Sequence, residues 1–101
     1  MDKPNIASLF KALSDPIRVE VTGMLTVEKR CACQILEKLR ITQPTLSHHM
    51  AVLVASGLVQ AERRGKWVFY GIDPAAVEAM RAYLSDLGNA APACDACGEV
   101  R

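Results

Sequence analysis

The chain has 101 residues, 50% of them hydrophobic and 23% charged, and a formal net charge of +1. This composition predicts one domain with a buried core and excludes a largely disordered chain. There is no apolar run of the roughly 18–20 residues that a membrane-spanning helix needs, nor a secretory signal at the start, so we expect a cytoplasmic protein without membrane contact.

Two helices are predicted in the first quarter of the chain. Asp15 is a good N-cap residue and Pro16 suits the first turn, so a second helix is expected to begin there. The charged segment 28–30 interrupts the pattern, and a third helix is predicted over residues 32–40. Apolar residues recur every three or four positions in the first two helices, at Ile6, Leu9, Phe10, Leu13, Ile17, Val21, Met24 and Leu25.

The next helix is expected to begin at Thr42, with Pro44 in its first turn. Its apolar stripe comprises Leu46, His49, Met50 and Leu53. Its opposite face comprises Gln43, Thr45, Ser47 and His48. Short hydrogen-bonding side chains without an acidic residue suit a helix that enters the major groove of DNA. We therefore predict that these four residues contact DNA, whereas His49 is a structural histidine.

A β-hairpin is predicted after the stop signal Ser56-Gly57, with strands over residues 58–63 and 66–72. Its tip concentrates three positive charges, on Arg63, Arg64 and Lys66, which suits contact with phosphate or the minor groove. Trp67, beside the tip, is expected to be partly buried or to lie against DNA sugar.

A last helix is predicted from Asp73-Pro74 to Gly88-Asn89, and its apolar positions are Val77, Met80, Tyr83, Leu84 and Leu87. Residues 1–89 are therefore expected to form the domain, and residues 90–101 a tail that contains Cys94 and Cys97. Helix, helix, helix-turn-helix, basic hairpin and helix is the order of a winged helix. The predicted fold is mainly α with a small β-hairpin.

Several of these segments resemble the ArsR/SmtB family of bacterial metal-sensing repressors. Leu-Ser-Asp-Pro-Ile-Arg at 13–18 resembles the opening motif of that family, and the octapeptide at 43–50 resembles its recognition helix. Segments 56–59 and 65–68 match its wing. The resemblance implies a homodimer formed through the first and last helices. Two recognition helices about 34 Å apart would then read an inverted-repeat operator in double-stranded DNA.

The four cysteines are expected to be ligands or redox groups, since thiols stay reduced in the cytoplasm. Cys31 and Cys33 lie where the third helix begins, at a position that resembles the metal site of the family. Leu36 stands where arsenite sensors of that family carry a third cysteine. One tail cysteine, Cys94 or Cys97, would complete a three-sulfur site for As(III) or Sb(III). Both would give a four-sulfur site suited to Cd(II), Pb(II) or Zn(II).

The function expected from these features is that of a repressor that leaves its operator when a soft ion, arsenite or antimonite first, binds the cysteines. Three alternatives stay open: a cadmium, lead or zinc sensor with four cysteines, a thiol redox sensor, and a winged-helix module that binds protein rather than DNA. An enzyme is not expected, because the chain has no nucleophile–base pairing, phosphate loop or acidic pair in a suitable context.

Overall fold

The computed structural model of the chain describes residues 5–89, which form five helices and three short strands. In chain order they are α1 (Ile6–Ala12), α2 (Pro16–Leu25), β1 (Arg30–Cys31), α3 (Ala32–Lys38), α4 (Gln43–Ser56), β2 (Val59–Arg64), β3 (Trp67–Ile72) and α5 (Pro74–Gly88). The strands form an antiparallel sheet in the order β1-β3-β2. The predicted winged helix-turn-helix is confirmed.

The helices begin where the predicted capping residues lie. The Asp15 carboxylate accepts a hydrogen bond from the Ile17 N–H at 2.8 Å, and Asp73 accepts one from the Ala75 N–H at 3.0 Å. The Thr42 hydroxyl accepts the Thr45 N–H at 3.3 Å at the start of α4. These side chains satisfy N–H groups that have no partner within the first turn of a helix.

Helix α4 crosses the centre of the hydrophobic core. Leu46, Met50 and Leu53 are each at most 3% exposed and pack with residues from the other helices and β2. The remaining buried members of this core are Leu9, Ala12, Val21, Leu25, Ile35, Leu58, Val59, Ala76 and Met80. The predicted inward stripe of α4 is therefore confirmed.

Strand β1 was not predicted, and it enlarges the expected two-stranded hairpin to three strands. It has two residues, too few to show an alternating pattern, and its partner lies about forty positions later in the chain. Arg30 pairs with Tyr70, and Cys31 pairs with Phe69. Helix α3 also ends at Lys38 rather than residue 40, because Leu39 has an extended backbone (φ −113°, ψ 147°).

The last helix buries only part of its predicted apolar stripe against this chain. Met80 is 8% exposed, whereas the other four members are between 44% and 61% exposed: Val77, Tyr83, Leu84 and Leu87. Among the described helices, none is long and apolar enough to cross a membrane. Residues 90–101, and with them the predicted tail, lie outside the described residues.

Candidate nucleic-acid interface and cysteine site

The outer face of α4 presents the four side chains that were predicted to contact DNA. Gln43, Thr45, Ser47 and His48 are all exposed. The Thr42 hydroxyl donates to the Thr45 hydroxyl at 3.0 Å, and this hydrogen bond fixes the position of the Thr45 side chain. This face carries hydrogen-bonding groups without a carboxylate, so phosphate would not repel it.

His49 lies on the opposite face and is 8% exposed. Its Nδ1 is 2.9 Å from Nη1 of Arg18. A guanidinium group can only donate, so Nδ1 accepts and the imidazole carries its proton on Nε2. Arg18 also donates from Nε to the carbonyl oxygen of Ala12 at 2.7 Å. One side chain of α2 thereby joins the end of α1 to α4, and His49 is structural, as predicted.

Asp15 caps α2 and also lies close enough to Arg18 to interact with its charge. Burial raises the pKa of its carboxyl, but hydrogen bonds from the backbone N–H groups of Ile17 and Arg18 and the positive charge of Arg18 outweigh that effect. The pKa of Asp15 therefore lies below its ordinary value. The carboxylate stays charged at neutral pH and complements the start of α2.

The hairpin tip exposes Arg63, Arg64 and Lys66, as predicted, but the sheet also places a carboxylate among the positive charges. Glu62 lies 3.2 Å from Nζ of Lys29 and 3.4 Å from Nη2 of Arg64. A hydrogen bond from Lys29, which has the larger effect, and one from Arg64 hold the pKa of the Glu62 carboxyl below its usual value.

Arg64 is consequently less free for phosphate than the sequence suggested, and its guanidinium carbon also lies 6.0 Å from the ring centre of Phe69. Lys66 takes part in no ion pair within residues 5–89. Residues two positions apart in a strand lie on the same face of the sheet, so the spacing of Glu62 and Arg64 was a sequence signal for this ion pair.

Cys31 and Cys33 come together at the junction of β1 and α3, with their sulfur atoms 2.8 Å apart. Cys31 is 7% exposed and Cys33 is exposed. The hydrogen bond between the two thiols is the largest cause that lowers the pKa of Cys31 and raises that of Cys33. The N–H of Gln34 also favours the Cys31 thiolate. Cys31 therefore reaches the thiolate form at a lower pH than Cys33, and a soft ion that binds both sulfurs would displace any remaining thiol proton.

Two aromatic side chains of β3 share a cavity with the cysteine pair. This open cavity has a volume of about 230 Å³ and is lined by Cys31, Cys33, Gln34, Trp67 and Phe69. Trp67 is 52% exposed, so its packing is partial, as expected. Trp67 and Cys33 lie near each other because β1 pairs with β3, and no local sequence pattern predicts that pairing.

The described part of the chain supplies two sulfur ligands and no more. No group of three or more His, Cys, Asp or Glu side chains within residues 5–89 is arranged to hold a metal ion. The other two predicted ligands, Cys94 and Cys97, lie outside the described residues. Two soft donors on one short segment suit a thiophilic ion or metalloid that draws its remaining ligands from elsewhere.

Comparison with known proteins finds relatives over the whole chain. Residues 15–61 match the profile of the arsR family of bacterial regulatory proteins. The chain is 32% identical over 101 residues to the arsenical resistance operon repressor of Staphylococcus xylosus, covering 100% of this chain and 96% of that protein.

Two solved structures share the fold. An ArsR-like transcriptional regulator from Rhodococcus has a TM-score of 0.75 and 28% identity, with 82% of this chain and 78% of that chain covered. The homodimeric winged helix-turn-helix DNA-binding domain of a possible ArsR-family regulator from Mycobacterium bovis has a TM-score of 0.66 and 27% identity, with coverage of 82% and 80%.

Proposed function

Because the chain belongs to the ArsR family of bacterial regulatory proteins, we propose that it is a repressor whose dimer leaves its operator when As(III) or Sb(III) binds its cysteines. Members of this family regulate transcription, so the chain is a regulator and not an enzyme. The observation that carries the proposal is the cysteine pair at the β1–α3 junction, which lies beside β3 of the hairpin and at the start of the helix that precedes α4.

Helix α4 and the hairpin would contact the operator together. The exposed face of α4 offers hydroxyl, amide and imidazole groups to base edges, and the tip of the hairpin offers its positive charges to phosphate. Arg18 holds α4 against α1 and α2, so the helix enters the groove as part of a rigid body. The tip then fixes the orientation of that body on the duplex.

The dimer would form through α1 and α5. The exposed apolar side chains of α5 form the surface that a partner needs, and Phe10 of α1 continues it, with its ring centre 6.0 Å from that of Tyr83. The Mycobacterium bovis relative is described as homodimeric. Two recognition helices in one dimer would read an inverted-repeat operator with half-sites about 34 Å apart.

The inducer would bind the sulfurs of Cys31 and Cys33, with Cys94 or Cys97 as the third ligand. The donor set supports this, since two sulfurs already lie within reach of one atom and thiolates select soft ions over hard ones. The Staphylococcus xylosus protein is named as a repressor of an arsenical resistance operon and is 32% identical to this chain over 101 residues. Arsenite and antimonite are therefore the first candidates.

The position of Cys31 supplies a route from ligand to DNA. Cys31 is the residue before α3, and α3 leads through residues 39–42 into α4. Cys31 also pairs with Phe69 in β3, one strand of the hairpin. A ligand that draws the tail onto this junction would shift both elements. Release then requires that the ligand bind the free dimer about 5–150-fold more tightly than the DNA-bound dimer.

The test is operator binding by fluorescence anisotropy, with the promoter of the protein's own gene and added arsenite. Cys31→Ser and Cys33→Ser should bind the operator normally and resist release, whereas the wild type dissociates. If the double serine variant still dissociated on addition of arsenite, the site would be wrong. A wild-type dimer that shifts no promoter fragment would instead favour a protein-interaction module.

X-ray absorption on the loaded protein separates the ion classes. Three As–S contacts that depend on one tail cysteine support the metalloid site. If four sulfurs surrounded Cd(II) and arsenite bound more weakly, the protein would instead be a four-cysteine sensor for Cd(II), Pb(II) or Zn(II). Release by peroxide without any ion would indicate a thiol redox sensor. Cys94→Ser and Cys97→Ser, made separately, identify which tail residue contributes.

A further inference from the structure

Lys29 crosses the sheet on the face away from the core, from the segment before β1 to β2. Tyr70 and Ile72 of β3 pack against the core, so Gly71 between them lies on the opposite face of the sheet. The side chain of Lys29 lies over Gly71, and its Nζ is 3.2 Å from Oε1 of Glu62 in β2. In the strand order β1-β3-β2 the outer strands are two spacings apart, about 10 Å, so the contact requires a long side chain.

Gly71 leaves the room that this path across β3 needs. A Cβ atom at position 71 would lie 2.9 Å from Cγ, 3.3 Å from Cε and 3.4 Å from Cδ of Lys29. Gly71 does not have a positive φ, so its backbone is open to other residues. The absence of a side chain at position 71 therefore serves the Lys29 stem rather than the backbone conformation.

Glu62 is shared between Lys29 and Arg64 at the hairpin tip. Lys29 is the nearer cation, since both carboxylate oxygens lie 3.4 Å from Nη2 of Arg64. Hydrogen bonds between charged nitrogen and oxygen groups are ordinarily about 2.7–2.9 Å long, so Glu62 holds Arg64 only loosely. The hydrogen bond from Lys29 is also the largest cause that keeps the pKa of Glu62 below its usual value. Lys29 is therefore the principal counter-charge of this carboxylate.

We propose that Lys29 is a positioning residue for DNA binding, which neutralises Glu62 and thereby leaves Arg64 available to phosphate. The proposal rests on the proposed contact between the hairpin and the operator. Without Lys29, Arg64 would be the one remaining ion-pair partner of Glu62 within residues 5–89. The carboxylate would then hold Arg64 more firmly and would also repel phosphate. Lys29 acts through this carboxylate and does not itself touch DNA.

The test is a double-mutant cycle of Lys29→Met and Glu62→Gln in the full chain, with operator affinity measured by fluorescence anisotropy. Methionine keeps a flexible stem over Gly71 but removes the charge. Lys29→Met alone should weaken operator binding about two- to fivefold, the range for an ion pair whose side chains are 60% and 47% exposed. In the Glu62→Gln background the same substitution should have no effect, because no carboxylate is left to neutralise. Lys29→Arg keeps the charge and should retain most of the affinity.

Gly71→Ala disturbs the same contact without changing a charge. Its methyl group should displace the Lys29 stem and weaken operator binding to a similar extent. Combined with Lys29→Ala it should cause no further loss, since no stem is left to displace. Lys11→Met, at an exposed position of α1, is the control for the loss of one positive charge and should bind the operator like the wild type. Melting temperatures from circular dichroism show whether each variant is folded.

Two outcomes would overturn the proposal. If Lys29→Met weakened binding equally in both backgrounds and lowered the slope of log affinity against log salt by about 0.9, Lys29 would itself contact phosphate. If Lys29→Met bound the operator like the wild type, Lys29 would have no part in DNA binding. In both cases Arg64→Ala and Lys66→Ala would still weaken binding. If neither of these two substitutions changed the affinity, the proposed contact between hairpin and operator would be refuted as well.

Discussion

Arg18 is the side chain through which the DNA-contacting helix is fixed to the rest of the domain. Its guanidinium group donates to the Ala12 carbonyl and to Nδ1 of His49, so α1, α2 and α4 meet at one residue. Asp15 in the same motif caps α2 and lies in the field of that guanidinium. The segment 13–18 thus matters for where α4 stands, although it is not itself predicted to contact DNA.

Replacement of Arg18 by alanine should destabilise the domain by about 1–3 kcal/mol. The buried Nδ1 of His49 would lose its donor, and an unsatisfied buried acceptor carries its full desolvation cost. Urea unfolding followed by circular dichroism measures this free energy. Arg40→Ala, at an exposed position, is the matched control and should stay within about 0.5 kcal/mol of the wild type. If Arg18→Ala and Arg40→Ala unfolded at the same urea concentration, the Arg18–His49 contact would contribute nothing to stability.

Asp15 should make the stability of the domain depend on pH in the acid range. Its pKa is lower in the folded state than in the unfolded chain, so the folded state binds fewer protons. The stabilisation is complete above the unfolded value of about 3.9 and is lost as the pH falls through the lower folded value. Melting temperatures between pH 7 and pH 3 should therefore converge for wild type and Asp15→Asn at the acid end. The melting temperature of Asp86→Asn, a change at an exposed position of α5, should instead keep a constant difference from that of the wild type over this pH range. If Asp15→Asn also kept a constant difference, a role for Asp15 would be ruled out.

Among the elements, the hairpin carries a mixed charge pattern rather than a purely basic tip. Glu62 draws Lys29 and Arg64 together on one face, while Lys66 makes no ion pair within the described residues. Not every positive charge at the tip is therefore available to phosphate, because phosphate must compete with the Glu62 carboxylate for Arg64. Lys66 should consequently contribute more to DNA affinity than Arg64, which must leave its carboxylate first.

Lys66→Ala should weaken operator and non-operator binding alike, and should lower the slope of log affinity against log salt by about 0.9, the value for one phosphate contact. Glu62→Gln should have the opposite effect on affinity, because it removes a negative charge and releases Lys29 and Arg64. Anisotropy titrations over a range of salt concentrations measure both effects. Lys11→Ala on α1 serves as the control for a generic change of charge. A Lys66→Ala slope equal to that of the wild type would exclude the tip from phosphate contact.

Sequence patterns predicted the helices well because their signals are local. A capping residue, a proline in the first turn and a period of three to four are contained within one segment, as at Asp15-Pro16 and Thr42. Strand β1 has no such signal, since its two residues are defined by a partner across the fold. The cavity that joins Cys33 to Trp67 depends on that pairing, so the spacing of the cysteines could indicate a ligand site but not its aromatic wall.

At the scale of the whole molecule, the single chain leaves apolar surface uncovered on one side. Val19 of α2, at 51% exposure, and Val77 and Leu84 of α5, at 44% and 54% exposure, line an open groove of about 430 Å³ that is almost entirely apolar. Exposed apolar surface that is contiguous in this way marks a protein contact rather than a solvated face. The proposed dimer would cover it and set the distance between the two copies of α4.

Glutamate at both Leu84 and Leu87 should therefore produce a folded monomer with weak operator binding. These residues are 54% and 61% exposed, so the substitutions bury no charge within the chain but place four carboxylates in the dimer interface. Sedimentation equilibrium should give about 22 kDa for the wild type, twice the chain mass of 11.0 kDa, and about 11 kDa for the variant. Operator affinity should fall by about a hundredfold or more, since each half-site is then bound alone.

Val27→Glu is the matched control for this change, because Val27 is 78% exposed and lies between α2 and β1 rather than on α5. It should remain dimeric with unchanged operator affinity. Far-UV circular dichroism distinguishes loss of the dimer from loss of the fold, and Leu87→Ala offers a milder change that should raise only the dissociation constant of the dimer. A Leu84→Glu, Leu87→Glu variant that stays at 22 kDa would place the interface elsewhere. The coupling of the cysteine site to the spacing of the recognition helices would then have to pass through a different pair of elements.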